Sequence, residues 1–125
     1  MKTILIVEDN EKNMKLVRDI LQHQGHATLE AVTGTDGVRI AKKAKPDLVL
    51  MDIQLPDIDG ITALQEIRQN AALDAVPVLA VSASVMPDEQ QKVVSSGFDA
   101  FVTKPINLKQ FREIVQRFLT EGRKR

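Results

Sequence analysis

The chain has 125 residues, of which 43% are hydrophobic and 27% are charged, as expected for a single globular domain. It contains no cysteine, which excludes a disulfide framework, a thiolate zinc site and thiol catalysis, and a chain of this length can form its core without them. The 17 basic residues balance the 17 acidic ones, so we expect a soluble, cytoplasmic domain with no direct nucleic-acid or membrane partner.

Five short apolar runs predict β-strands. The first and third are continuous and rich in Ile, Val or Leu, which is typical of strands buried on both faces of a parallel sheet. The second is weaker and is expected near an edge, and the fourth carries a proline close to its start. The predicted strands are residues 4–7, 27–32, 47–51, 76–82 and 100–103.

A segment with helical periodicity follows each predicted strand. Asn10 and Asn107 are suitable N-caps for the first and last helices, whereas Gly25 and Gly97 are suitable ends for the first and fourth. The second helix is expected from about Thr35. Each strand is therefore expected to lead directly into a helix.

The last helix and the residues beyond it form the C-terminal end of the predicted domain. The helix carries a broad apolar stripe that consists of Leu108, Phe111, Ile114, Val115, Phe118 and Leu119. Residues 121–125 form a polar tail, either a solubilising terminus or the start of a linker, so the predicted domain covers residues 1–120. His23 and His26 flank the end of the first helix and are expected at the surface.

This alternation of strands and helices predicts the fold. Short connections between strand and helix imply right-handed crossovers and a mostly parallel sheet with helices on both faces. The expected class is α/β: a doubly wound (βα)5 domain of the flavodoxin-like type with five parallel strands in the order 2-1-3-4-5. Ligand sites in such folds lie outside the carboxyl ends of the strands.

The residues that follow the predicted strands are polar and chemically complementary. They supply three carboxylates, one hydroxyl and one ammonium group to one edge of the sheet, from Glu8, Asp9, Asp52, Ser82 and Lys104. Two carboxylates about 5 Å apart repel each other by roughly 3 kcal/mol at an effective dielectric constant near 20. A hard divalent cation would relieve that repulsion, and Mg²⁺ is the ion that combines carboxylates with phosphate oxygens.

The same residues suit phosphoryl chemistry. Lys104 supplies a point charge for a phosphoryl oxygen and Ser82 supplies a hydrogen-bond donor. A carboxylate nucleophile such as Asp52 beside a metal and a lysine is the arrangement for an aspartyl phosphate. Neither His nor Cys follows these strands, which argues against transition-metal ligation.

Five separated motifs resemble the receiver domains of two-component response regulators. They are Leu5-Ile6-Val7-Glu8-Asp9-Asn10, Asp47-Leu48-Val49-Leu50-Met51-Asp52, Pro56 with Gly60, Val81-Ser82-Ala83, and Thr103-Lys104-Pro105. The resemblance runs from the first strand through the last helix. Among receivers, the chain is most similar to stand-alone, single-domain regulators of the DivK type.

The resemblance implies a role for each matching position. Asp52 would accept a phosphoryl group from the phosphohistidine of a sensor histidine kinase or a histidine phosphotransfer protein. Asp9 and Asp52 would bind Mg²⁺ together with the backbone carbonyl of Gln54, and Glu8 would hold a metal-bound water. Lys104 would contact the phosphoryl group, and hydrolysis would later reset the switch.

The resemblance also implies how phosphorylation would change the structure. Ser82 would move toward the phosphoryl oxygens and Phe101 would rotate inward, changing the face formed by the fourth helix, fifth strand and fifth helix, which binds a downstream protein. Pro105 would follow a cis peptide bond. Ser82 and Phe101 stand where Thr and Tyr are commoner, so the Phe101 side chain lacks a hydroxyl for a partner. Gln54 and Ser84 would tune the phosphoryl lifetime.

Alternative interpretations remain at this point. Asp52 could cap a helix, Glu8 could be a solvated charge and Phe101 a static core residue. A phosphatase with an aspartyl nucleophile is disfavoured because the haloacid-dehalogenase pattern requires an acid where Gln54 stands. A receiver-shaped module that is never phosphorylated is disfavoured by the intact polar set, and a flavin protein by the lack of Trp and Tyr. We therefore expect a signalling switch rather than an enzyme.

Overall fold

Strands and helices alternate along the computed structural model, which describes residues 2–83 and 87–123. Within these ranges there are five strands, β1 (Thr3–Val7), β2 (Ala27–Ala31), β3 (Leu48–Asp52), β4 (Val78–Ala83) and β5 (Ala100–Lys104). The helices there are α1 (Glu11–His23), α2 (Gly34–Ala44), α3 (Gly60–Arg68), α4 (Pro87–Ser95) and α5 (Leu108–Glu121). A short 3-10 turn, Ala71–Leu73, which the sequence did not predict, lies between α3 and β4.

The strands form one parallel sheet in the order β2-β1-β3-β4-β5. The predicted fold class and strand order are therefore confirmed. The second strand lies at an edge, as its weaker pattern indicated, and it ends at Ala31 rather than at the 54% exposed Val32. All ligand-facing residues predicted from the sequence lie at or just beyond the carboxyl ends of the strands.

Two apolar layers cover the two faces of the sheet. In β1, the alternating side chains of Leu5 and Val7 pack in a layer with α2, α3 and α4, whereas Ile4 and Ile6 pack in a layer with α1 and α5. All four side chains are at most 2% exposed. Burial on both faces explains the continuous apolar run in the sequence.

Local hydrogen bonds fix the helix ends. Asn10 caps α1 by accepting a hydrogen bond from the Asn13 N–H (3.1 Å), and Asn107 caps α5 in the same way. At the other end of α1, Gly25 has a φ of +92° and the next residue donates back to the Leu21 carbonyl. These three predictions are confirmed.

The structure differs from the sequence-based boundaries at several points. Helix α2 begins one residue before the expected Thr35 because Thr33 caps it. Strand β3 begins at Leu48 rather than at Asp47, whose carboxylate accepts a hydrogen bond from the Thr3 N–H (2.8 Å) while its own N–H donates to the Thr3 carbonyl (2.8 Å). The apolar stripe on α5 is narrower than predicted, because Leu108 is 48% exposed at the helix start.

The C-terminal end is held against the sheet. Helix α5 continues to Glu121, and Arg123 Nε, in the predicted polar tail, lies 3.0 Å from Asp99 Oδ1. Arg123 is therefore not simply solvated, although the domain limit at residue 120 stays a prediction. Lys124, Arg125 and Ser84 lie outside the described residues. In the part of the chain that the structure describes, every helix is too short or too polar to form a membrane span.

Candidate functional site

The parallel register brings the polar residues together at one edge of the sheet. Val7 pairs with Met51 across β1 and β3, so the next residues along these two strands, Glu8 and Asp52, come side by side. On the other side of β3, Asp52 pairs with Val81 of β4. Both carboxylates are largely buried, with relative exposures of 4% for Glu8 and 6% for Asp52.

Lys104 connects the two buried carboxylates. Its Nζ donates hydrogen bonds to Glu8 Oε1 (2.6 Å) and to Asp52 Oδ2 (3.0 Å), across 96 and 52 residues of sequence. The sequence predicted that these groups meet, but not that the ammonium group bonds directly to Glu8. The lysine thus lies against the side chain that the resemblance assigned to phosphorylation.

Burial and neighbouring charges both affect the pKa values of Glu8 and Lys104. Burial raises the pKa of Glu8, and the Asp52 carboxylate raises it further, while the hydrogen bond from Lys104 works in the opposite direction. Burial alone would lower the pKa of Lys104, but its hydrogen bonds to Glu8 and Asp52 outweigh burial and raise the pKa. The lysine is therefore held in its charged form.

Asp9 completes an acidic cluster suited to a cation. One carboxylate oxygen each from Glu8, Asp9 and Asp52 lies within 4.8 Å of the others, and Asp9 is exposed to solvent. With Lys104 the cluster has a formal charge of minus two, which a divalent cation would neutralise. An all-oxygen set with an exposed side fits Mg²⁺, which retains water in its coordination shell.

The loop after β3 is built closely around Asp52. The Gln54 N–H donates to Asp52 Oδ1 (2.9 Å), and the Gly60 N–H donates to the Ile53 carbonyl (2.8 Å) where α3 begins. The Gln54 side chain is exposed. The loop therefore orients one carboxylate oxygen of Asp52 while Lys104 holds the other.

Ser82 and Phe101 lie on the two neighbouring strands β4 and β5. Ser82 is 3% exposed near the carboxyl end of β4. Phe101 is half-buried and packs against the layer of α2, α3 and α4, beside a cavity of about 140 Å³ between β5 and α5 that Pro105 and Phe111 also line. The Lys104–Pro105 peptide bond is cis.

Comparison with known families identifies the domain. Residues 4–116 match the family model described as the response regulator receiver domain. This chain belongs to the response regulator receiver family. The receiver is also 36% identical over 121 residues to the polar-differentiation response regulator DivK of Brucella anthropi and to that of Brucella ovis, covering 97% of this chain and 98% of each relative.

Solved structures support the same assignment. The receiver domain of the sensor histidine kinase PA1611 from Pseudomonas aeruginosa PAO1, with a magnesium ion coordinated in its active-site cleft, is 29% identical with a TM-score of 0.88 and coverage of 95% of this chain and 98% of its own. A CheY-like response regulator receiver domain protein from Methanospirillum hungatei JF-1 is 26% identical, with a TM-score of 0.87 and coverage of 97% and 95%.

The family and the resemblance to DivK-type single-domain regulators, both predicted from the five motifs, are confirmed. The receiver acts as a signalling switch in two-component systems, in which receivers interact with histidine kinases or phosphotransfer proteins and with downstream targets. The sequence did not reveal Asp57, whose carboxylate lies in the loop after β3 and bonds to α2. Asp57 directly follows Pro56 in a loop, where an aspartate can have many roles. The sequence around it therefore did not indicate this contact.

Proposed function

We propose that the receiver carries a phosphoryl group on Asp52 and that this modification controls its contacts with other proteins. The observation that carries this proposal is the position of Lys104 Nζ, 3.0 Å from Asp52 Oδ2, in a cleft with two further carboxylates. A nucleophilic carboxylate needs a nearby cation and a metal to offset the charge of an incoming phosphoryl group. The cleft offers the residues for both.

Mg²⁺ is the cofactor that fits these residues. Asp9 and Asp52 would hold it together with the backbone carbonyl of Gln54, and Glu8 would hold it through a water. When bound, the ion supplies positive charge that offsets the charge on the phosphoryl oxygens in the transition state. The three carboxylates lie within 4.8 Å of one another and repel each other. The single charge of Lys104 does not offset this repulsion, which supports a bound cation.

Asp52 is the nucleophile and phosphoacceptor. One of its carboxylate oxygens attacks the phosphorus of a phosphohistidine, and the new O–P bond forms as the P–N bond breaks. The imidazole leaves with the electron pair and takes up a proton from solvent. Lys104 donates a hydrogen bond to one phosphoryl oxygen, exchanging its present contact with Asp52 for the transferred group.

Hydrolysis resets the switch. A water molecule attacks the phosphorus, the O–P bond to Asp52 breaks, and inorganic phosphate and the free carboxylate are formed. The receiver thus catalyses only its own phosphorylation and dephosphorylation and is not an enzyme for an external substrate. Gln54 has its side chain exposed beside the reacting group, and we assign it a role in setting how fast water attacks.

Ser82 and Phe101 transmit the change. The Ser82 hydroxyl donates to a phosphoryl oxygen, and the resulting movement in β4 lets Phe101 turn inward. The half-buried state of Phe101 on the edge strand β5 supports this role, because its side chain is not enclosed in the core. Phe101 lacks a hydroxyl, so it acts through the space it fills.

The partners follow from this assignment. A sensor histidine kinase or a histidine phosphotransfer protein supplies the phosphoryl group, and a downstream protein binds the face of α4, β5 and α5. Direct binding to nucleic acid or to membranes is not part of the proposal, in line with the equal numbers of acidic and basic residues. We place this activity in the cytoplasm and within residues 1–120.

Incubation with acetyl phosphate and Mg²⁺, followed by measurement of the intact mass, tests the proposal. We expect a mass gain of one phosphoryl group in the unmodified chain and none in Asp52→Asn. The matched control is Asp47→Asn, which changes a carboxylate at the opposite end of β3 and should be labelled normally. Equal labelling of Asp52→Asn and the unmodified chain would refute the assignment.

A further inference from the structure

The loop between β3 and α3 is fastened to a helix that contributes none of the proposed site residues. Asp57, in the middle of this loop, accepts hydrogen bonds from the N–H groups of Gly34 (Oδ1, 2.8 Å) and Thr35 (Oδ2, 2.9 Å). These are the first two residues of α2, and they lie 23 and 22 positions earlier in the chain. Both carboxylate oxygens are therefore used in one long-range contact.

Asp57 completes the capping of α2. The first N–H groups of a helix lack partners within the helix. Thr33 Oγ1 satisfies only one of them, the Asp36 N–H at 3.1 Å, whereas Asp57 satisfies the two before it. A negative charge is also favourable at the positive end of the helix dipole. A hydrogen bond from the Thr35 side chain, together with those from the backbone N–H groups, holds the pKa of Asp57 well below its ordinary value, so the carboxylate stays charged.

Packing next to this contact leaves little room for the loop to move. A Cβ atom at Gly34 would lie 2.5 Å from Ile58 Cγ1 and 3.2 Å from the Ile58 carbonyl oxygen, so Ile58 packs directly against the backbone at the start of α2. The other parts of the loop are also fixed, since Gln54 N–H bonds to Asp52 and Asp59 caps α3 by accepting from the Thr62 N–H (2.7 Å). Between these two points, Asp57 attaches the loop to α2.

We propose that Asp57 is a positioning residue that holds the Gln54 backbone in place for Mg²⁺ and for phosphoryl transfer to Asp52, by tying the loop to the N-terminus of α2. This inference rests on the proposed function, because it deepens the role assigned to Gln54. Only Leu55 and Pro56 separate Gln54 from Asp57, and proline restricts the chain between them. Loss of the attachment would let the Gln54 carbonyl move without removing any ligand.

The test compares Asp57→Ala with Thr33→Ala. Both variants remove caps from the same end of α2, but only Asp57→Ala frees the loop. Mg²⁺ affinity is measured by calorimetric titration with magnesium chloride at a temperature where every variant is folded, and the labelling rate is measured with acetyl phosphate. We expect Asp57→Ala to weaken Mg²⁺ binding about tenfold, as is typical when a group that orients a metal ligand is lost. Thr33→Ala should stay within about twofold of the unmodified chain.

Asp57→Asn and the unmodified chain distinguish a failure of the positioning role from a failure of the proposed function. Asp57→Asn keeps one oxygen acceptor and should recover part of the lost affinity and rate. If Asp57→Ala binds Mg²⁺ as tightly as the unmodified chain, or if Thr33→Ala loses as much, Asp57 has no positioning role while the proposed function stands. If the unmodified chain neither binds Mg²⁺ nor is labelled, both proposals fail.

Discussion

Gly60 approaches Asp52 so closely that a Cβ atom at position 60 would lie 2.7 Å from the Asp52 carbonyl oxygen. We expect Gly60→Ala to push the backbone of the phosphoacceptor away from the cleft, to cost about 2 kcal/mol of stability and to slow labelling by acetyl phosphate. Urea unfolding and a time course of intact mass would measure both effects. Gly25→Ala is the control: its φ of +92° costs stability, but it is far from Asp52 and its labelling rate should not change.

Mg²⁺ should stabilise the folded receiver by binding to the acidic cluster. A ligand that binds only the folded state adds about 2.7 kcal/mol when its concentration is 100 times its dissociation constant. We expect a higher thermal midpoint with magnesium chloride, and a much smaller increase in Asp9→Asn, which removes the exposed carboxylate of the cluster. An equal increase in both proteins would place the ion elsewhere.

His26 should make the receiver less stable in mild acid. Burial lowers the pKa of His26 below its ordinary value of 6.5, although the Asp47 carboxylate opposes this, and Nδ1 is enclosed with no partner among the described residues. The folded state disfavours the protonated imidazole, so protonation of His26 lowers the free energy of unfolding. The full free energy of unfolding is present above the unfolded-state pKa of 6.5, and this part of it is lost as pH falls through the folded-state pKa.

Unfolding at a series of pH values would measure this contribution. We expect His26→Gln to lose less stability than the unmodified chain between about pH 7.5 and about pH 5, by less than about 1 kcal/mol because the side chain is only partly buried. The exposed His23, three residues earlier, provides the control in His23→Gln. Parallel pH curves for His26→Gln and the unmodified chain would show that His26 carries no such cost.

Asp99 should be a main stabilising residue at the amino end of the sheet. Its 7% exposed carboxylate accepts hydrogen bonds from Arg68 (3.1 Å), from the Val78 N–H (2.8 Å) and from Arg123 (3.0 Å). We expect Asp99→Asn to cost about 3 kcal/mol, since it removes the buried negative charge that Arg68 and Arg123 share. Urea unfolding would show this loss, with labelling of the folded protein unchanged. A stability equal to that of the unmodified chain would mean that the cluster contributes nothing.

Much of the fold could be predicted because local chemistry determines it. Two-sided burial in β1 requires an apolar run, the side chain of Asn10 is well suited to cap a helix, and Gly25 tolerates a left-handed conformation. The convergence of Glu8 and Asp52 also followed from the sequence, since parallel strands end at one edge.

The remaining features depend on contacts between distant segments. The hydrogen bonds between Lys104 and Glu8 and between α2 and Asp57 join residues far apart in sequence. The sequence around a side chain does not predict which distant residue it will contact. The ion pairs of Asp99 with Arg123 are of the same kind, so the C-terminal residues were expected in solvent. By contrast, α2 begins one residue earlier than predicted for a local reason, because Thr33 caps it by accepting a hydrogen bond from the Asp36 N–H.

Phosphorylation of Asp52 is tested most sharply by chemical identification of the phosphorylated side chain. Borohydride reduction converts an aspartyl phosphate to homoserine, so the protein is treated with acetyl phosphate and Mg²⁺, reduced, digested and sequenced by mass spectrometry. We expect homoserine at position 52, with Asp47, Asp57 and Asp59 in the same region unchanged. Homoserine at another position, or none in protein that has gained a phosphoryl group, would contradict it.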